Sequence, residues 1–80
     1  MKTVYTEEYK LLCNWLVNKR QSAKLTQTEL AELLNRPQSY VSKYENGERR
    51  LDVLEFIEIA KVLNANPSEI IMVIYRTLKE

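Results

Sequence analysis

Hydrophobic residues recur along this chain at intervals of three and four positions, a spacing that places them on one face of an α-helix. Five such segments follow one another, and each begins at a residue that favours a helix start. The predicted starts are Thr6, Thr26, Pro37, Asp52 and Asn66. The pattern therefore predicts an all-α protein, a compact bundle of five helices.

The second predicted helix has the clearest start signal. Thr26 is followed three residues later by Glu29, so each side chain can bond the other residue's backbone N–H in a capping box. Leu25 and Leu30, on either side of this cap, can form a hydrophobic staple. The predicted buried stripe of this helix consists of Leu30, Ala31, Leu33 and Leu34.

The third predicted helix separates polar from apolar side chains. It begins at Pro37, whose missing N–H is no loss in a first turn, and it ends at Asn46-Gly47, a favoured pair for a left-handed cap. At 100° per residue its polar side chains share an arc of about 140°; they are Gln38, Ser39, Ser42, Lys43 and Asn46. Tyr40 lies at the border of this arc, where both packing and contact with a partner remain open. Amides, hydroxyls and an ammonium group are the groups that pair with base edges and phosphates.

The first and fourth predicted helices supply most of the remaining core. Thr6 can cap the first helix, and Asp52 with Glu55 has the spacing of a second capping box at the start of the fourth. The predicted buried stripe of the first helix consists of Leu11, Leu12, Cys13, Trp15 and Leu16. The predicted inner face of the fourth consists of Val53, Phe56, Ile57, Ala60 and Leu63, and Asn64 can close it in a left-handed conformation.

The last predicted helix is more apolar than one core-facing stripe requires. It starts at Asn66-Pro67 and continues with six consecutive apolar residues, from Ile70 to Tyr75, which cover every side of a helix. One side should close the domain, and the other is either an exposed patch or a subunit interface, unless the whole helix is wrapped within an ordinary small core. We expect a homodimer, with an interface formed by Ile70, Ile71, Val73, Ile74 and Tyr75.

The central segment, LTQTELAELLNRPQSYVSKYENGERRL, closely resembles the helix-turn-helix of the Cro and phage-repressor family of bacterial DNA-binding regulators, the XRE family. The similarity spans about residues 9–75, and its most specific elements are Leu25-Thr26-Gln27, Ala31, Val41-Ser42, Glu45-Asn46-Gly47 and the pair Ala60 and Leu63. The resemblance implies a lambda-repressor-like DNA-binding domain with its helix-turn-helix at about residues 26–46.

The resemblance also implies roles for individual residues in binding double-stranded DNA. The third helix, about residues 37–45, would enter the major groove and read bases through Gln38, Ser39, Ser42 and Lys43. Phosphates would be held by Gln27, Asn46, Arg49 and Arg50. In the family an arginine and an acid that match Arg20 and Glu45 form a structural salt bridge. The family usually has glycine where this chain has Lys24, and that glycine closes the first helix in a tight left-handed turn. Lysine is a departure that affects how tight this turn can be, and not the fold.

Composition narrows the function classes. Eighty residues make one domain, spanning residues 1–80, and the net charge of +1 does not by itself indicate a polyanion partner. Residues 18–50 nevertheless hold seven basic side chains against four acidic ones, whereas residues 51–80 hold three against five. Cys13 is the single cysteine and there is no histidine, so we expect a buried thiol, a reducing cytoplasm and no metal. No cofactor, small-molecule ligand or membrane contact is expected.

These observations predict a sequence-specific transcription regulator, a repressor that binds a pseudo-palindromic operator as a dimer. The alternative is an antitoxin or a helix-turn-helix adaptor whose main partner is another protein, and the apolar last helix would suit it. An enzyme is not expected, because the chain has no histidine, no glycine-rich phosphate loop and no nucleophile paired with a base. The pattern does not distinguish a restriction–modification controller, a phage switch and an antitoxin, or an excised domain of a longer regulator.

Overall fold

The structure, a computed structural model, describes residues 6–78, and within that range it contains five helices and no strand. The helices are α1 (Glu7–Ser22), α2 (Gln27–Leu34), α3 (Gln38–Glu45), α4 (Val53–Val62) and α5 (Ser68–Thr77). The prediction of an all-α, five-helix protein is therefore confirmed. None of these helices is long and apolar enough to cross a bilayer.

The helix starts follow the capping signals in the sequence. The Thr6 hydroxyl accepts a hydrogen bond from the backbone N–H of Tyr9 at 3.1 Å, and both predicted capping boxes, at Thr26 and Asp52, are confirmed. Pro37 departs from the prediction, because its ψ of 154° is extended and makes it the N-cap of α3 instead of its first residue. Before α5 the Asn66 carboxamide oxygen accepts from the N–H of Ser68 at 3.1 Å, while Pro67 is the N-cap of that helix.

The ends of α1 to α4 share one geometry. Just after the end of each of these helices lies a residue with positive φ; these residues are Lys24, Asn35, Gly47 and Asn64. At the end of α3, for example, the N–H of Gly47 bonds the carbonyl of Tyr44 at 3.3 Å and the N–H of Glu48 bonds that of Lys43 at 2.8 Å. These two bonds are the Schellman pair, which satisfies carbonyls that the helix leaves open.

One hydrophobic core joins the helices. α2 packs against α3 and α4, while α1 packs against α3 and α5. The largest fully buried side chains are Tyr44, Leu16, Leu30, Ile59, Val41 and Cys13. Every helix contributes at least one buried residue, and α3 packs against both α1 and α2.

Two predicted burial patterns are wrong in part. On α4 the buried residues Phe56, Ile59, Ala60 and Leu63 share an arc of about 100°. Val53 and Ile57 lie outside this arc and are exposed, at 69% and 43%. On α2, Leu33 is also exposed. The apolar residues of α4 surround most of the helix, so their spacing alone could not indicate which side meets α2.

The last helix divides its apolar residues between two environments. Ile70 is buried and Ile74 packs against the core. Ile70 therefore belongs to the core and has little surface left for the predicted subunit interface. The exposed apolar residues on and just after α5 are Ile71, Met72, Val73, Tyr75 and Leu78.

Candidate nucleic-acid interface

The turn between α2 and α3 sets the direction of α3. Asn35 takes the left-handed conformation at φ 58°, and the N–H of Arg36 bonds the carbonyl of Ala31 at 2.9 Å. Tyr40, Val41 and Tyr44 then fix α3 to the core, since all three are buried. The Tyr40 and Tyr44 rings meet edge to face with centroids 5.7 Å apart.

The opposite face of α3 is polar and open. Gln38, Ser39, Lys43 and Asn46 are exposed and Ser42 is half-buried, so the structure gathers these five predicted residues on one surface. The side chains of Ser39 and Lys43 have no hydrogen bond or ion pair to any residue between 6 and 78. Asn46 Nδ2 lies 3.4 Å from the Ser42 hydroxyl, to which it donates. This surface offers donors and acceptors to a partner, and no cluster among the described residues could hold a metal ion.

A buried ion pair supports one edge of this polar face. Arg20 Nε donates to Glu45 Oε2 at 2.8 Å, Nη2 donates to Oε1 at 3.1 Å, and Nη1 reaches the carbonyl of Leu25 at 2.9 Å. The two side chains are only 13% and 6% exposed. The hydrogen bonds to Glu45 raise the pKa of Arg20, so the guanidinium remains charged. Removing one partner of a pair buried in this way costs about 3–5 kcal/mol.

The same carboxylate orders two glutamines. Gln27 Nε2 donates to Glu45 Oε1 at 2.8 Å, and Gln27 Oε1 accepts from Gln38 Nε2 at 2.8 Å. Gln38 is thereby oriented at the start of α3 and retains its carbonyl oxygen and one N–H for another partner. The sequence did not indicate this chain of bonds, because the turn that brings residues 27 and 38 together depends on tertiary packing.

Arginines and a tyrosine line the other edge. Arg49 forms a bidentate pair with Glu55 at 3.1 and 2.9 Å, and Arg36 lies 3.6 Å from the same carboxylate. The guanidinium carbons of Arg36 and Arg49 are 4.6 and 4.9 Å from the centroid of the Tyr40 ring. The hydrogen bonds from Arg49 are the main cause that lowers the pKa of Glu55, so its carboxylate stays ionised. Arg36, Tyr40 and Glu55 were not among the predicted site residues.

The loop after α3 is anchored by a buried tyrosine. The Tyr9 hydroxyl donates to the carbonyl of Arg49 at 2.9 Å and accepts from the N–H of Leu51 at 3.0 Å. Burial raises the pKa of Tyr9, so the hydroxyl stays protonated and able to donate. Arg50 lies over the Tyr9 ring, 5.0 Å from its centroid. Both predicted phosphate-binding arginines are thus held on a fixed backbone beside α3.

Comparison with known proteins gives a consistent result. A family model described as helix-turn-helix matches residues 16–70 of this chain. An XRE-family-like protein from Pseudomonas syringae pv. tomato is 40% identical over 90% of this chain and 88% of its own, with a TM-score of 0.80. The restriction–modification controller protein C.Esp1396I is 19% identical and has a TM-score of 0.77, covering 90% of this chain and 95% of its own, a similarity of fold alone. No protein with a curated description matches.

Proposed function

The chain belongs to the helix-turn-helix family of the Cro and phage-repressor type, the XRE family of DNA-binding transcription regulators, and from that premise we propose that it is a sequence-specific repressor. It acts on double-stranded DNA in the cytoplasm, with α3 inserted into the major groove. While the protein is bound to an operator that overlaps a promoter, it would block transcription from that promoter.

The polar face of α3 is the observation that carries this proposal. The groove is about 12 Å wide and admits one helix, and the outward row of amides, hydroxyls and an ammonium group has the hydrogen-bonding chemistry of base edges. A helix that served only to complete the core would have no need of oriented polar groups such as Gln38, which Gln27 holds in place at 2.8 Å.

Base reading is assigned to Gln38, Ser39, Ser42 and Lys43. The Gln38 carboxamide can pair with adenine N6 and N7, and Lys43 is long enough to donate to guanine O6 and N7. A good bidentate pair is worth about 1–3 kcal/mol of discrimination against the wrong base. Ser39 and Ser42 can donate to a base or to a neighbouring phosphate.

Phosphate binding is assigned to Gln27, Asn46, Arg49 and Arg50, which lie around α3. Gln27 lies in the first turn of α2, where the backbone N–H groups of the helix would also face a bound phosphate. The two arginines supply a sequence-independent attraction that weakens with salt, because binding releases counterions from the DNA.

Dimerisation is part of the proposal. The exposed apolar residues Ile71, Met72 and Tyr75 share one side of α5, and exposed apolar residues grouped in this way favour association. A two-fold dimer would place two recognition helices about 34 Å apart, one turn of B-DNA, and would select a pseudo-palindromic operator.

Selection of bound duplexes from a random DNA pool at two salt concentrations tests the function. We expect one preferred sequence with two related half-sites, and an affinity that falls steeply as salt rises. If the protein ignores duplexes even in dilute buffer, the proposal is wrong, and an adaptor or antitoxin with a protein partner becomes the better interpretation.

Two variants separate base reading from phosphate binding. Lys43→Ala should relax the preference at one operator position, at a cost of about 1–3 kcal/mol on the preferred sequence. Arg49→Ala should weaken binding to every sequence by a similar factor, because a phosphate contact carries no base information. Titration of both variants on the selected duplex and on a scrambled one measures this. Equal losses from both changes on both duplexes would refute the division of roles.

A further inference from the structure

Arg36 lies in the turn before α3 and is held in place without using its hydrogen-bond donors. Its guanidinium carbon is 4.6 Å from the Tyr40 ring centroid, and its nearest carboxylate oxygens, on Glu55 and Glu58, are 3.6 and 3.7 Å away. No hydrogen bond joins this guanidinium to any residue between 6 and 78. Its N–H groups are therefore ordered in position and still available to an anion.

Arg49 differs from Arg36 although both touch the same ring. Its Nη1 and Nη2 atoms donate to the two carboxylate oxygens of Glu55 at 3.1 and 2.9 Å, and Nη1 also lies 3.4 Å from the Arg50 carbonyl. Most of its donors are thus committed within the chain. Since two guanidiniums on one ring repel each other, Glu55 between them compensates the second positive charge.

The location of this cluster on α3 indicates what it faces. At 100° per residue, Tyr40 lies about 60° beyond Lys43, at one edge of the polar face. Glu45, which orders Gln27 and Gln38, lies about 20° beyond Gln38 at the opposite edge. A helix of about 10–12 Å diameter fills a groove about 12 Å wide, so its two edges meet the two phosphate strands.

We propose that Arg36 binds a DNA phosphate on the strand beside the Lys43 edge, and that Glu55, together with Arg49 and Tyr40, is the positioning group that holds it there. This inference rests on the proposed function, because it names contacts of the same interface. Glu55 is only 14% exposed, so it lies beneath the two guanidiniums and leaves their outer sides to the partner.

Two possible roles of Glu55 predict opposite effects of its neutralisation on DNA binding. If Glu55 were only a negative charge near DNA, its neutralisation would strengthen binding, since the protein would become more positive. If Glu55 positions Arg36, its neutralisation should weaken binding in spite of the added charge. Glu58 provides the matched control, because it is on the same helix and lies at nearly the same distance from Arg36, 3.7 Å, but its side chain is half exposed, whereas Glu55 is largely buried and also bonds Arg49.

The experiment compares Glu55→Gln, Glu58→Gln, Arg36→Gln and the double variant Arg36→Gln/Glu55→Gln with the wild-type chain. Affinity for a short random-sequence duplex is measured by fluorescence anisotropy over a series of salt concentrations. Glutamine at position 55 keeps the capping box at the start of α4, because Gln serves at the third helical position as Glu does. Circular dichroism confirms that each variant is folded.

We expect Arg36→Gln to lose roughly tenfold in affinity at low salt and to reduce the slope of log K against log salt by about 0.9, the value for one phosphate. Glu55→Gln should bind more weakly than Glu58→Gln. In the double variant the loss from Glu55→Gln should become smaller, because the part that acts through Arg36 is already absent and only the part that acts through Arg49 remains.

Other results would overturn the inference. An unchanged salt slope in Arg36→Gln would show that Arg36 touches no phosphate. A Glu55→Gln affinity equal to or above that of Glu58→Gln would show that Glu55 acts only as a charge. Failure of the wild-type protein to bind the duplex at low salt would instead contradict the proposed function itself, so the two failures are distinguishable.

Discussion

Two buried tyrosine hydroxyls illustrate how differently the same group acts at two positions. The Tyr9 hydroxyl has both a donor and an acceptor partner in the loop after α3. The Tyr44 hydroxyl is buried in the core and has no hydrogen-bond partner among residues 6–78. Burial also raises the pKa of Tyr44, which keeps the phenol neutral. A buried polar group without a partner costs free energy, whereas a bonded one holds structure together.

Replacement of each tyrosine by phenylalanine should have opposite effects on the free energy of unfolding. Tyr9→Phe should lower it by about 1–3 kcal/mol, because the Arg49 carbonyl and the Leu51 N–H both lose a partner. Tyr44→Phe should leave it unchanged or raise it by about 1 kcal/mol, because an unsatisfied hydroxyl is removed. Urea denaturation of the two variants and the wild type measures both changes. A large loss of stability in Tyr44→Phe would mean that its hydroxyl has a partner in solution.

The helices of this chain are defined mainly by what happens at their ends. Thr26 and Asp52 each start a helix through a complete capping box, and α1 to α4 each end through a left-handed residue. Asparagine and glycine suit that conformation, but Lys24 has φ 59° with a full side chain. The turn after α1 still has both Schellman hydrogen bonds. Lysine in place of glycine at position 24 therefore raises the free-energy cost of this turn without changing its backbone geometry.

Lys24→Gly should therefore stabilise the protein. Glycine removes the strain between Cβ and the backbone but gives the unfolded chain more freedom, and the net gain should be about 0.5–1 kcal/mol. Thermal unfolding followed by circular dichroism measures it as a higher melting temperature. Lys24→Ala is the matched control: it removes the charge and keeps the Cβ, so it should bring no such gain. Equal melting temperatures for the two variants would contradict the strain argument.

At the scale of the whole molecule, the polar face of α3 and the apolar side of α5 are two separate open surfaces. The first is bordered by arginines, and the second carries Ile71, Met72 and Tyr75 in exposed positions within an arc of about 100°. Exposed apolar residues also occur on α4, at Val53, Leu54 and Ile57. The proposed division is that α3 meets DNA and α5 meets a second copy of the chain.

A lysine on the outer side of α5 should separate the proposed dimer. Tyr75→Lys places a charge between Ile71 and Met72 on that surface, and because Tyr75 is 73% exposed the monomer should remain folded. Sedimentation equilibrium should give the 9.5 kDa mass of one chain for this variant and twice that mass for the wild type. Leu54→Lys, at the 77% exposed Leu54 on α4, is the control and should leave the dimer intact. A wild type that is monomeric at high concentration would exclude the two-fold model.

How far the site could be predicted depended on the distance between partners along the chain. The five polar residues of α3 were found because one helix with a known rise and period places them together. The Arg20–Glu45 pair followed from the family resemblance, and the structure contains it at 2.8 Å. Arg36, Tyr40 and Glu55 belong to three different elements, and no local pattern indicates that they meet.

Local residue patterns predicted where the helices start and end, apart from Pro37 at the start of α3, and which face of α3 is polar. These features depend on contacts among residues within about four positions, such as Thr26 with Glu29, and the helical period is the same in any protein. The packed fold was needed to show which apolar side of α4 is buried, which residues on α5 remain exposed, and which arginine near α3 keeps its donors available. Those outcomes follow from how whole helices pack, and side chains that meet across the fold are far apart in the chain.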